Sequence, residues 1–381
     1  MQTTKRVAVI GGGVIGASTA FYLSQAPSTE VTLFDEGTGQ ATSAAAGIIS
    51  PWLSRRRNKR WYRLVKTGAA FYPTFIKDIG QDPSNSAIYQ KTGTLLFKSK
   101  PEYLDELMEI GLKRREDAPE IGELHILSPD EIRQYIPIYE GQASALYASG
   151  GARVDGGKLV DHLQNTLEER GVSIHRTQAG IQKGASGRYA VSDAAGTQEF
   201  DAVVLAVGAW LPQLLKPFGY DVDVRPQKGQ LAQLTLPISE TADWPVVMPE
   251  GEKDIIPFAD GKVVIGATHE NDMGYDLSID ETLLRPMIEE AAEGFSSLFK
   301  EASHIAYRSG TRAYTSDYSP FFGEIPGNPG LYTASGMGST GMTAGPLVGK
   351  ILAQLILGEA ADLPLEDYPV DRYVTPLDTL Q

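Results

Sequence analysis

The sequence predicts two interleaved folding units. One is a Rossmann-type α/β nucleotide-binding domain. The other is an α+β unit, an antiparallel sheet with helices, inserted into the first in pieces. Three observations predict this. A glycine-punctuated βαβ pattern opens the chain between Lys5 and Glu36. Apolar strand-like runs of the same kind return only after long interruptions. The interruptions themselves are rich in β patterns and turn residues.

Taken in order, "RVAVIGG" is a short apolar run ending in glycines, as expected of a central parallel strand buried on both faces. "VIGASTAFYLSQ" follows as a helix, with Ile15, Thr19, Tyr22 and Leu23 at helical spacing. "EVTLFDEG" is a second strand that ends in Asp35 and Glu36. Much later, "KLVDHLQNTLEERGVSIHRTQAG" predicts a helix from Lys158 to about Arg170, with Gly171 as its C-cap glycine, and then a strand. "FDAVVLAVGAW" is a further apolar strand that also ends at a glycine. Between these lie "TGTLLFKS", "SALYASGGARVD", "GQLAQLTLP", "DIIPFADGKVVIGATHE" and "SHIAYRSGTRAYT", all β-rich. Asp260-Gly261, between two apolar runs, predicts a hairpin. The expected division assigns 1–85, 150–215 and 318–381 to the nucleotide domain, and 86–149 and 216–317 to the substrate domain.

A chain of 381 residues, 42% hydrophobic and 22% charged, has the composition of a globular protein of two or three domains. No apolar run reaches the ~18–20 residues of a membrane span. The N-terminus runs straight into a strand, so a cytoplasmic location is expected. With no cysteine there are no disulfides, cysteine-ligated metals or thiol nucleophile, and no thioether to a cofactor. The five histidines show no ligand spacing, so no metal site is expected. A net charge of −14 argues against nucleic acid as a partner. "RRRNKRWYR", Arg55 to Arg63, is a local basic exception: a solvated loop, or a positive patch for an acidic substrate, a membrane surface or a partner.

Three glycine-rich stretches carry the cofactor reading. Gly11, Gly13 and Gly16 fit G-x-G-x-x-G: a tight turn, close approach of a pyrophosphate to the backbone, and close helix–strand packing. The helix N-terminus faces the phosphates, and Asp35 is placed for ribose hydroxyls. On its own this unit suits NAD or FAD. "ATSAAAGIIS", Ala41 to Ser50, adds small residues against which a flat ring or a diphosphate can lie. "ASGMGSTGMTAGPLVGKILAQLILGE" adds a second anion-facing helix N-terminus, with Leu347, Val348, Ile351, Leu352 and Leu355 on its inner side. A flavin, whose pyrimidine end gains negative charge on reduction, has a use for it. Arg312, on a strand of the inserted unit just before that loop, offers a guanidinium fork for a carboxylate. No Walker loop or nucleophile elbow occurs.

In this order the motifs resemble the FAD-dependent D-amino acid oxidase superfamily, in particular its glycine oxidase and D-amino acid dehydrogenase branch. The resemblance spans nearly the whole length, from "VAVIGGGVIGASTAFYLS" through "GARVDGGKLVDHL", "RPQKGQ" and "GTRAYTSDYSPFFGE" to "YTASGMGSTGMTAGP". It implies non-covalent FAD in an extended form. Val14 and Ile15 would meet the pyrophosphate, Asp35 and Glu36 the ribose, and Thr42 and Ser43 phosphate. Ala46, Gly47 and Ile48 would lie along the ring system, and Ile181, or its neighbour Gly180, would meet the adenine. Gly208 and Trp210 belong to the implied cofactor set. Met337, Gly338, Ser339, Thr340, Gly341, Met342 and Thr343 would form the loop at the pyrimidine end. Arg312 would pair with a substrate carboxylate.

Two departures bear on the substrate. Ser339 stands where similar glycine oxidases carry a second arginine, and Asp254 stands where they place a tyrosine. An acid near the amine would favour a basic or bulkier amino substrate if Asp254 faces the pocket. The implied reaction is oxidation of the amine of a small amino acid, such as a D-amino acid, glycine or an N-alkyl glycine. The imino acid formed hydrolyses to a 2-oxo acid. Oxygen, a quinone or a partner protein would take the electrons. Two alternatives are a 2-hydroxy acid dehydrogenase, with His269 as the base, and a non-catalytic flavin-binding module.

Overall fold

The computed structural model describes residues 4–184, 187–251 and 253–377. Its first large sheet has six strands, whose order in space is Phe321–Glu324, Leu331–Ser335, Ala202–Leu205, Lys5–Ile10, Thr29–Phe34 and Ser173–His175. All pairs are parallel except the one at the Phe321–Glu324 edge. Lys5–Ile10 lies between the strand that follows it and one nearly 200 residues away. The chain therefore reverses its winding direction there, and a crevice opens at the strand's carboxyl end.

The Val14–Ser24 helix is buried almost all round, with Ile15 and Tyr22 partly exposed, so its apolar spacing marks no single inner face. The reason is a second layer. The Gly341–Leu357 helix packs across it, and Gly345 and Gly349 make the approach close. A β-carbon on Gly345 would fall 2.5 Å from Val14 Cγ1, and one on Gly349 would fall 2.7 Å from the Ile15 carbonyl oxygen. Gly68 of the Lys59–Asp78 helix does the same on the other side, 2.4 Å from the Thr343 carbonyl oxygen. The stretch Gly338–Leu357 is long and apolar enough to cross a membrane, contrary to the reading of the sequence. Yet 72% of its most apolar window is buried in this core, which accounts for its hydropathy. The Gly156–Glu169 helix is capped by Asp155, whose side chain accepts from the Lys158 N–H, and it ends at Gly171 with φ +80°.

The second sheet has eight strands, in the order His304–Tyr314, Arg225–Thr235, Lys262–Gly266, Asp254–Pro257, Val246–Met248, Thr94–Phe97, Ala145–Ala148 and Leu124–Leu127. Its ladders are antiparallel save one: Val246–Met248 runs parallel to Thr94–Phe97 and joins the two inserted pieces. Asp260 and Gly261, at φ 60° and 71°, form the expected hairpin turn between Asp254–Pro257 and Lys262–Gly266.

Side-chain alternation gives this sheet two faces. Leu234, Val247, Ile255 and Ile265 pack on one side with Leu284, Met287 and Phe299. Leu231, Val246, Ile256 and Val264 pack on the other, against Ala46 and Ile48 of the small-residue segment. The second face meets the nucleotide-binding layers, and the site lies between them.

Candidate active site

A cavity of about 500 Å³ runs along this junction. At one end the glycine turn at the tip of Lys5–Ile10 contributes Gly11, Gly12 and Gly13. A β-carbon on Gly11, whose φ is +101°, would fall 2.4 Å from the Ala206 carbonyl oxygen, so only glycine fits. Asp35 and Glu36 follow the neighbouring strand onto the cavity wall, and Gln40 Nε2 donates to Asp35 Oδ2. Thr177, Gln178 and Ala179 complete this end.

Two helices begin at the cavity. Val14–Ser24 starts after Gly13, and Gly341–Leu357 starts after Thr340. Neither N-cap residue makes a side-chain hydrogen bond, and Gly13, Val14 and Ile15 of the first and Gly341, Met342 and Thr343 of the second line the space, so both positive dipole ends face it. Thr42 Oγ1 accepts from the Val14 N–H at 3.0 Å. The close packing through Gly345 and Gly349 brings these two helix ends into one cavity.

Small residues form a slot between them. Ala45, Ala46 and Gly47 line one wall and Gly229 and Gly266 of the eight-stranded sheet the other, while Gly310 packs on Ala44, whose Cβ would lie 2.7 Å from a β-carbon there. Gly47, at φ +83°, could not carry a β-carbon, which would lie 1.9 Å from the Val154 carbonyl oxygen. An elongated cavity with a glycine cradle, two uncapped helix ends and a slot walled by alanine and glycine fits a flavin dinucleotide.

At the far end stand Arg312, Asp254, Met248, Ser50 and Trp61. Arg312 Nη1 donates to Gln227 Oε1 at 3.2 Å and to the Thr268 carbonyl at 3.0 Å. Its guanidinium lies over Gly229, where a β-carbon would fall 2.5 Å from Nη1. Burial pushes the Asp254 carboxyl up to about 7. His269 and Ser339 also line the cavity and are exposed.

Most of the expected site residues share this wall: Gly11, Gly13, Val14, Ile15, Asp35, Glu36, Thr42, Ala46, Gly47, Ile48, Gly208, Trp210 and the whole Met337–Thr343 loop. Three stand off it. Gly16 lies behind, where its missing β-carbon would be 1.8 Å from the Gly11 carbonyl oxygen, so its place is in packing. Ser43 points away, its hydroxyl donating to Gln40 Oε1 and its carbonyl accepting from Arg308. Ile181 is buried in the core behind the Gly180–Lys183 strand, and the residues that reach the cavity are Thr177 to Ala179, just before that strand. Gly229, Gly266 and Trp61 lie in stretches the sequence reading singled out, but none was named there as a site residue. Glycines at facing positions of strands distant in sequence were the one available signal.

The basic stretch lies beside the far end. Ser54 and Trp61 line the cavity, and Arg55, Arg56 and Arg57 line a separate surface recess. Arg55 pairs with Glu106 at 2.7 Å, Arg60 and Arg63 pair with Asp367, and Arg56 stacks on Trp61 at 4.8 Å.

A doubly wound sheet with a dinucleotide cradle, set against a second sheet that closes the far end of the cavity, defines a flavin-type oxidoreductase of two units. The profile of the family described as FAD dependent oxidoreductase (DAO) matches residues 6–355, and the chain belongs to that family. It is 36% identical to the uncharacterized oxidoreductase YurR of Bacillus subtilis, over 96% of this chain and 98% of the relative. It is 29% identical to a glycine oxidase of Pseudomonas putida, over 93% and 95%. The iminodiacetate oxidase of Chelativorans sp. BNC1 superposes with a TM-score of 0.88 at 32% identity, covering 96% of this chain and 99% of that one. The protein is an FAD-dependent oxidoreductase, and its cysteine-free chain excludes a thioether to the flavin.

Proposed function

We propose that the enzyme oxidises the amine of a small amino acid or N-alkyl glycine. The imino acid product then hydrolyses in water to a 2-oxo acid. The observation that carries this reading is Arg312, at the end of the cavity beyond the small-residue slot and braced by Gln227 and Thr268. FAD bound in the slot supplies the acceptor for a hydride from the substrate's α-carbon.

The cofactor would be held by the glycine turn and Val14 at its diphosphate, and by Asp35 and Glu36 at its ribose. The Met337–Thr343 loop would stand at its pyrimidine end. Arg312 binds the substrate carboxylate through charge-assisted hydrogen bonds and so fixes which substituent of the α-carbon faces the slot. Trp61 and Met248 give the far end an apolar lining. Similarity to an iminodiacetate oxidase and to glycine oxidases supports glycine-like substrates with a free or alkylated amine.

The test is anaerobic bleaching of the bound flavin by a panel of D-, L- and N-alkyl amino acids and 2-hydroxy acids. Readmitting air then separates an oxidase from a dehydrogenase that needs a quinone or a partner protein. Arg312→Ala should lose most of kcat/KM for carboxylate substrates. Near-wild-type turnover in that variant removes Arg312 from the mechanism. Bleaching by 2-hydroxy acids alone would favour hydroxy-acid oxidation.

A further inference from the structure

Asp254 and Arg312 lie 58 positions apart in the sequence but on the same face of the eight-stranded sheet. Register shows this directly. Arg312 is opposite Gln227 on Arg225–Thr235. Leu231 of that strand is opposite Gly266, and Gly266 is opposite Asp254. Directly opposed residues point to the same side, and so do residues two apart along a strand. Gln227, Gly229 and Leu231 therefore share a face with Arg312, Gly266 and Asp254. This is the face whose Ile256 and Val264 meet Ala46 and Ile48.

Between the two charged side chains the sheet presents Gly229 and Gly266, both on the cavity wall. The result is a trough with a cation at one side and an acid at the other, floored by Gly229, Gly266 and the Leu231 that packs against Gly266. The Arg312 guanidinium has crossed Gly229 and reaches the Thr268 carbonyl, two residues beyond Gly266. Asp254 stands one strand across from Gly266, on the same face.

We propose that Arg312 and Asp254 read the two ends of a substrate zwitterion across this trough, and that the Asp254 carboxylate accepts the ammonium proton before oxidation. The inference rests on the amine-oxidation reading above. The proton passes from the substrate nitrogen to an Asp254 Oδ and leaves a neutral amine. As the α-hydrogen departs as hydride to the FAD that the family's activity supplies, the nitrogen lone pair becomes the second bond of C=N. Asp254 then returns its proton to water, and the iminium hydrolyses.

The environment supports an acceptor near neutral pH, since burial raises the Asp254 carboxyl to about 7. Among the described residues, two charged or titratable groups share its cavity wall besides Asp35 and Glu36 at the nucleotide end. Arg312 comes from the outer strand and His269 from the segment after Gly266, and both line the same cavity. Lys253, its neighbour, is turned to Glu290. Met248, Ile48 and Ser50, on the adjoining walls, do not titrate.

The test uses the flavin-loaded enzyme and two isosteric ligands. 2-Aminoisobutyrate has no α-hydrogen and is not oxidised, and pivalate replaces its ammonium with a methyl group. Calorimetry at pH 8 should show the wild type preferring aminoisobutyrate by about tenfold or more, the worth of a charge-assisted hydrogen bond. Asp254→Asn should erase that preference and leave pivalate binding unchanged, while Arg312→Ala should weaken both ligands. In turnover, Asp254→Asn should lower kcat/KM at pH 7 by about 10²-fold and move the acid limb of its pH profile up to the substrate amine's own titration. A variant that keeps the ligand preference and the wild-type pH limb overturns the proposal. Unweakened pivalate binding in Arg312→Ala would instead overturn the carboxylate reading on which it rests.

Discussion

Gly229→Ala tests the placement of the substrate-binding cation without touching it. Gly229 sits mid-strand, paired to Gly310, and has an ordinary extended backbone, so alanine brings no conformational strain. Its β-carbon would lie 2.5 Å from Arg312 Nη1 and 2.7 Å from Cζ and Nη2. The strand is held by its ladder, whereas the guanidinium is the far end of a flexible side chain, so the guanidinium moves. It must retreat by about 1 Å to reach normal contact, which breaks its hydrogen bonds to Gln227 and Thr268 and misaims the fork. Losing one charge-assisted hydrogen bond to the substrate costs about 1.5–3 kcal/mol, a fall in kcat/KM of about 10- to 100-fold. Stability should change by less than about 1 kcal/mol, because alanine suits a strand interior better than glycine does. The assay is steady-state kinetics with a carboxylate substrate, alongside flavin content and Tm. Unchanged kcat/KM in a folded, flavin-loaded variant would refute the argument.

Other substitutions probe other parts. Gly16→Ala puts a β-carbon 1.8 Å from the Gly11 carbonyl oxygen and should cost the protein its flavin, read as flavin absorbance per protein. Full retention of flavin would show that the turn tolerates displacement. Asp254→Asn should also change stability against pH. The carboxyl is raised from 3.8 to about 7 in the folded protein, which therefore binds the proton more tightly than the unfolded chain. Wild-type stability then falls as pH rises from about 4 to 7, and above 7 the ionised buried group costs at most about 4 kcal/mol. Denaturation of both proteins from pH 5 to 8 should show the variant's advantage growing with pH, and an advantage that shrinks would count against the raised carboxyl.

Much of the nucleotide-binding half was legible because its signals are local. Gly11 needs a positive φ and Gly16 a missing side chain, and both lie within one turn of the strand and helix they join. Asp260-Gly261 announced its hairpin for the same reason. Thr177–Ala179, which reach the cavity just before the Gly180–Lys183 strand, were not singled out, because no turn chemistry marks where a chain leaves a strand edge. Gly345 and Gly349 read as ordinary helix residues. Their role appears only when the Val14–Ser24 helix lies against them.

The sequence by itself determined the cofactor cradle, the alternation of the two sheets and the presence of Arg312 between a β-rich segment and the last glycine loop. Each of these follows from backbone preferences and spacing within a few residues. Tertiary structure alone decided what Arg312 faces. Strand register, fixed by burial of one face of the sheet, set it above Gly229 and brought Asp254 to the same face on the far side of Gly266. A shift of register by one residue would turn either side chain to the other face, and no stretch of sequence around either residue records which way it points.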